Sequence, residues 1–331
     1  MPDGAANAPL AAFRSPAWLP GGHAQTIYPY FLPRPVVEYR RERVDTTDGD
    51  FWEFDWLATR DGVAAEAPLV VLFHGLEGSA QSHYSLLLMD RLAARGWRGV
   101  VPHFRGCGGT PNMQPRAYHS GDHEEVGAML AALRQRVAPR TPMYAVGVSL
   151  GGSALLNWVG RAEDGAAEML TAAAAVSAPL DLMAAGIAIG QGLNVIYTRY
   201  FLRSLKPKAR AMARRFPGLL DARRIARVRS MWDFDETVTA PLHGFAGADD
   251  YRTRASSMPW LARVALPTLV LNARNDPFVP GASLPTAAQV STAVVLEQPA
   301  HGGHVGFMTG PAPGRLDWLP QRVLAFFDHG R

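Results

Sequence analysis

Short apolar runs alternate with amphipathic stretches along most of the 331-residue chain, and this alternation constrains its fold more than any other feature. The runs are VVEYRRERV, FWEFDWL, LVVLFH, GVVPHF, MYAVGV, TAAAAVS, PTLVLNA and TAVVLE. Helical patterns such as HYSLLLMDRLAARG and HEEVGAMLAALRQRV fall between the later ones. Parallel strands need a long crossover, usually a helix, and a sheet covered on both faces shows continuous apolar runs. The pattern therefore predicts an α/β fold: a mostly parallel sheet of about eight strands with helices on both faces. The first two runs flank the turn signal TTDGD and read as an edge hairpin. The tail RLDWLPQRVLAFFDH reads as a closing helix.

Between TAAAAVS and PTLVLNA the alternation stops. Residues 181–258 are arginine-rich and lean towards helix, so the expected organisation is a core of 1–180 with 259–331 and a lid insertion of 181–258 over the carboxyl ends of the strands. A composition of 48% hydrophobic and 19% charged residues suits a globular protein with a sizeable core.

Several function classes drop out on composition. Cys107 is the sole cysteine, so there is no internal disulfide framework and no thiolate zinc site; it reads as a small buried residue in a reducing compartment. The first 20 residues lack a basic start and an uninterrupted apolar stretch, which points to cytoplasmic residence. The longest apolar stretch, from Leu182 to Tyr197, is broken by Gln191, Asn194 and three glycines, so no integral membrane span is expected. Arg199 to Arg229 holds eleven Lys/Arg and one acid, Asp221, giving +10 against +4 for the whole chain. Without interleaved stacking aromatics or a nucleic-acid motif, this reads as the solvated face of lid helices rather than a nucleic-acid site; a patch for an anionic ligand or for peripheral membrane contact is the rival reading. RGCGGTPN lacks the third glycine of a dinucleotide fingerprint and no phosphate-binding P-loop occurs, so no cofactor is implied.

Chemistry concentrates in GVSLGG, Gly147 to Gly152, where the strand-like MYAVGV runs through Ser149 into the helical LGGSALLNWVG. This is a G-x-S-x-G elbow in its strand–turn–helix context. Ser149 is the candidate nucleophile, with Gly147 and Gly151 where side chains would collide and a helix N-terminus facing developing negative charge. Such a serine needs a base and a group to orient it, in the chain order serine, acid, histidine. The loop after PTLVLNA supplies Asp276; Asp235, Asp249 and Asp250 fall in the insertion, where surface or helix-cap roles are expected. The loop after TAVVLE holds HGGHVGF. His304, flanked by Gly303 and Gly306, is preferred as base over His301.

The oxyanion donors expected from this arrangement are the backbone N–H groups of Leu150, after the nucleophile, and Leu76, in LVVLFHGLEGS. His74 of that HG pair is expected to fix the loop. In YHSGDHEEV, His119 and His123 precede a helix that Ser120 or Asp122 would cap with Glu125 as a capping box. Neither this segment nor HGGH has metal-site spacing, and no metal is expected.

Together these stretches resemble the α/β-hydrolase superfamily and, within it, the YheT-like, AB-hydrolase-4 branch. WLPGGHAQTIYP, HGLEGS, FRGCGG, YHSGD, GVSLGG, WDFDETVTAPLHGFAGADDY, NARNDPFVP and HGGHVGF carry the resemblance, which covers nearly the whole chain. It implies a metal-free carboxylic-ester hydrolase with the triad Ser149, Asp276 and His304; the apolar insertion stretch Leu182 to Tyr197 would then line an acyl pocket, which suggests short- to medium-chain acyl esters. Relatives in this branch include esterases, acyltransferases to alcohols and phospholipases. Transfer of the acyl group to an alcohol is thus the alternative; a ligand-binding protein with an idle triad is the reading from another class.

Overall fold

A computed structural model describes residues 12–58 and 63–329. Of the first 20 residues, on which the expectation about a leader rests, 1–11 lie outside the described residues. Each apolar run forms a strand: β1 Tyr39–Asp45, β2 Phe51–Leu57, β3 Leu69–Phe73, β4 Arg98–His103, β5 Met143–Val148, β6 Ala172–Val176, β7 Thr268–Leu271 and β8 Val294–Glu297. They join one sheet in the order β1-β2-β4-β3-β5-β6-β7-β8. β1 pairs antiparallel with β2, and β2 with β4; the rest are parallel. The edge hairpin closes through TTDGD, with Thr46 N–H donating to Asp50 O at 2.9 Å and Gly49 at φ 78°.

Residues of β3, β5 and β6 point alternately to two cores, as a period of two requires. Val71, Phe73, Ala145 and Ala173 share one core with Met129 of helix His123–Arg134 and Leu155 of helix Leu150–Ala162. Val70, Leu72, Tyr144 and Ala172 share the other with Met89 of helix His83–Ala94 and Phe327 of the closing helix Trp318–His329. Both faces are covered, which is why the central strands lack polar alternation. The alanines of β6 let its neighbouring helices approach closely.

Residues 181–258, between β6 and β7, are mostly helical, with the long helix Val195–Arg215 as the largest element. Leu202, Leu205 and Ala209 on its inner face join Ile225, Val228, Phe234 and Val238 in a small core separate from the two on the sheet. Its arginines face outwards: Arg199, Arg203, Arg214 and Arg215 are exposed. Among the described residues no helix is long and apolar enough to cross a membrane.

Candidate active site

Ser149 sits at the junction of β5 and helix Leu150–Ala162 with φ 54° and ψ −121°, a left-handed conformation that costs a non-glycine residue energy. Its N–H donates to Val176 O at 2.8 Å, which anchors the turn to β6. The adjoining glycines are required by close approach. A Cβ on Gly147 would lie 2.5 Å from Gly151 O, and one on Gly151 would lie 2.5 Å from His74 O. The turn is so tight that the serine side chain stands clear of the backbone at the carboxyl end of the sheet.

Two loops converge on it. The loop after β8 brings His304 Nε2 to 2.9 Å from Ser149 Oγ, and the loop after β7 brings Asp276 Oδ2 to 2.8 Å from His304 Nδ1. The Asp276 carboxylate is fully buried; its Oδ1 accepts from Phe278 N–H at 2.8 Å and Val279 N–H at 3.3 Å. Those donors leave Oδ2 for the imidazole. The Phe278 ring packs 4.2 Å from the His304 ring and fixes its plane. His301 points elsewhere: it is exposed, with Nδ1 3.4 Å from Asn275 Nδ2.

The histidine loop is held by a segment whose role the sequence left unread. In the short helix Gly22–Ile27, Thr26 Oγ1 accepts from His304 N–H at 2.9 Å, and Gln25 Oε1 accepts from Gly302 N–H at 2.8 Å and Asn275 Nδ2 at 2.9 Å. Asn275 Oδ1 in turn accepts from Gly303 N–H at 3.0 Å. Gln25 and Thr26 thus tie the acid loop to the histidine loop. A Cβ on Gly303 would lie 2.8 Å from Thr26 N, so the glycines of HGGHVGF admit this helix. The signal was present in WLPGGHAQTIYP, but a contact across some 278 residues has no periodicity to betray it.

The loop after β3 presents Leu76. Neither its N–H nor that of Leu150 has a hydrogen-bond partner among the described residues, and both residues border the same cavity as Ser149. Glu77, next in the chain, has φ 55° and is clamped: its N–H donates to Tyr118 Oη at 2.8 Å, and its carboxylate accepts from Tyr118 Oη at 3.0 Å and Lys208 Nζ at 2.8 Å. Lys208 belongs to helix Val195–Arg215, so one ion pair joins the insertion to this loop. His74 fixes the loop as expected: its Nδ1 lies 2.8 Å from Gly75 O and its Nε2 accepts from Phe104 N–H at 3.3 Å. Burial, with His103 nearby, lowers its pKa to about 3 and keeps the ring neutral.

Ser149 and His304 open into a cavity of about 470 Å³. Much of its wall comes from the insertion, through Leu182, Ile189, Phe201, Leu205 and Val238 among others. A serine hydroxyl, an imidazole hydrogen-bonded to a buried carboxylate, two free backbone donors and a largely apolar chamber make one arrangement.

Residues 68–311 match the model of the alpha/beta hydrolase fold. The chain belongs to the α/β-hydrolase family. It is 39% identical to YheT of Escherichia coli (strain K12) over 305 residues, 91% of this chain and 88% of that one, which places it in the YheT-like branch. It is 31% identical to the phospholipase ABHD3 of Mus musculus over 95% of this chain and 78% of that one. Among solved structures, the Pyrococcus furiosus esterase Pf2001 superposes with a TM-score of 0.56 at 14% identity, covering 90% of this chain and 98% of that one; this likeness concerns the fold.

Elsewhere the structure of this hydrolase corrects the sequence reading. Asp122 occupies the N-cap position of helix His123–Arg134, but no side-chain cap forms and there is no capping box. Its carboxylate meets Arg116 Nη2 at 2.6 Å, and Glu125 accepts from Arg105 Nε at 2.7 Å and Trp52 Nε1 at 2.6 Å. The guanidinium groups of buried Arg105 and half-buried Arg116 outcompete backbone amides for these carboxylates. His119 borders the cavity with its ring 4.5 Å from that of His243, and burial lowers both pKa values, that of His243 to about 4. Asp235 is neither a surface residue nor a cap: it is buried, and its Oδ2 accepts from Arg252 Nη2 at 2.7 Å. Burial nonetheless raises its pKa. Asp249 is exposed and Asp250 accepts from Ala246 N–H at 3.0 Å, as expected of insertion residues. The stretch Leu182–Tyr197 divides: Leu182, Ala185 and Ile189 border the cavity, whereas Leu193 and Ile196 face outwards. Cys107 is half-buried rather than buried, and its burial raises the thiol pKa to about 11, so it stays protonated.

Proposed function

We propose that this hydrolase is a serine carboxylic-ester hydrolase for short- to medium-chain acyl esters. The observation that carries the reading is the unbroken chain Ser149 Oγ, His304 Nε2, His304 Nδ1, Asp276 Oδ2, with links of 2.9 and 2.8 Å, at the wall of a largely apolar cavity. In this reading His304 takes the Ser149 proton as Oγ attacks the ester carbonyl, and Asp276 holds the imidazole tautomer and stabilises the imidazolium. The N–H groups of Leu76 and Leu150 receive the oxyanion. His304 then returns its proton to the leaving alcohol, and water, deprotonated by the same imidazole, releases the acid from Ser149.

Residues 181–258 act as the lid, whose inner residues take the acyl chain. The cavity volume lies within the range of small-ligand sites, which favours chains of modest length. A panel of p-nitrophenyl esters from acetate to palmitate tests this. The expected maximum in kcat/KM lies between butyrate and octanoate, and a maximum at palmitate would refute the chain-length assignment. Ethanol added to the butyrate assay measures acyl transfer: the acid is the expected product, and a dominant ethyl ester would replace water by alcohol as the acceptor.

Gln25 and Thr26 act as positioning residues for His304. Thr26→Val removes the hydroxyl that accepts from His304 N–H; with a hydrogen bond worth about 1 kcal/mol, kcat should fall roughly five- to tenfold. KM should change less than twofold, because neither residue borders the cavity. Steady-state kinetics check this, and a change confined to KM would contradict it.

A further inference from the structure

Exposed apolar side chains are concentrated on one face. Among the described residues ten large hydrophobics are exposed, and eight of them lie in just two segments, 27–36 and 187–200. Phe31 is 78% exposed, Leu193 66%, Tyr200 65%, Ile196 59% and Tyr30 52%. The fold brings the two segments together: His23 Nδ1 is 3.1 Å from Tyr197 Oη, with the two rings stacked at 5.8 Å. Tyr200 and Tyr30 are near enough to interact electrostatically, which links the two segments through their exposed phenols.

This face adjoins the cavity wall. Tyr197 packs 4.6 Å from Phe278, which packs 4.2 Å from His304, and Phe201, beside Tyr200 in the chain, is part of the cavity wall. Helix Val195–Arg215 carries the apolar side chains and the charge on one outward face. Ile196 and Tyr200, and beside them Arg199 and Arg203, are exposed one helical turn apart within each pair, while Thr198, Leu202, Leu205 and Ala209 are buried. Among the described residues Arg199 and Arg203 have no ion-pair partner, and the +10 segment begins where the aromatic end of the helix gives way to arginine.

We propose that this face docks on an anionic phospholipid bilayer. Tyr30, Phe31, Leu193, Ile196 and Tyr200 enter the headgroup boundary, and Arg199 and Arg203 meet the lipid phosphates. Apolar side chains with arginines alongside match both components of such a surface, the acyl boundary and its negative charge. A neutral surface would leave the arginines unpaired, and a purely electrostatic contact would give the exposed aromatics no burial.

Vesicle flotation of the full chain tests this without reference to turnover, using phosphatidylcholine alone and phosphatidylcholine with phosphatidylglycerol. Binding should favour the anionic vesicles and disappear in high salt. Arg199→Glu with Arg203→Glu should lower binding to them by about thirtyfold or more. Ile196→Asp with Tyr200→Asp should lower it at least about tenfold while p-nitrophenyl butyrate turnover stays within about twofold, since neither residue borders the cavity. Absence of binding to either vesicle, or binding that survives both double substitutions, would overturn the proposal. So would a concentration-dependent dimer, seen by light scattering, that the Ile196→Asp, Tyr200→Asp pair dissolves; the face would then belong to a second copy of the chain.

Discussion

Ser149→Ala is expected to leave a folded protein whose hydrolysis of p-nitrophenyl butyrate is lowered about 10³- to 10⁶-fold in kcat, the usual effect of removing a nucleophile of this type. The substitution is sterically mild. The Ser149 N–H to Val176 O bond that anchors the elbow is made by the backbone and survives, while alanine keeps the Cβ that the φ of 54° already accommodates. Only the Oγ contact to His304 is lost. Circular dichroism should therefore match wild type, and a fluorophosphonate probe that labels wild type should no longer react. Wild-type turnover in the variant, or a label on another residue, would end the proposed chemistry. The residual rate expected comes from Leu76 and Leu150, whose N–H groups are untouched.

The two histidines of HGGHVGF should respond unequally. His304→Ala removes both the link to Ser149 and the link to Asp276, and loss of the base should lower kcat by about the same 10³- to 10⁶-fold. His301→Ala removes an exposed ring whose nearest polar neighbour, Asn275 Nδ2, is 3.4 Å away and is already bonded to Gln25 Oε1. Its effect should stay within about fivefold, the cost of one weak hydrogen bond. Parallel kinetics on the two variants check this; equal losses would mean that the loop as a whole, rather than one imidazole, governs turnover.

Much of the architecture was legible because it rests on short-range patterning. Apolar runs, amphipathic helices and the glycines around Ser149 each report a local requirement, and each appears where that requirement is met. The serine, acid and histidine could be selected by chain order, since a parallel sheet delivers successive loops to one end. Chain order does not report competition for a side chain. Asp122 and Glu125 had the spacing of a capping box, yet Arg116, Arg105 and Trp52 come from elsewhere in the chain to take their oxygens. Asp235 similarly had the look of an ordinary insertion residue until Arg252, 17 positions away, closed on it.

The sequence by itself determined the strand and helix inventory, the strained serine turn and the residues eligible to act with it, because these depend on periodicity, backbone freedom and loop order. Only the tertiary structure decided that Gln25 and Thr26 hold the His304 loop, that Lys208 reaches Glu77 beside Leu76, and which half of Leu182–Tyr197 borders the cavity. Those outcomes depend on which distant groups meet when the apolar faces are buried, and hydrogen bonds or ion pairs between segments far apart in sequence leave no periodic trace along the chain.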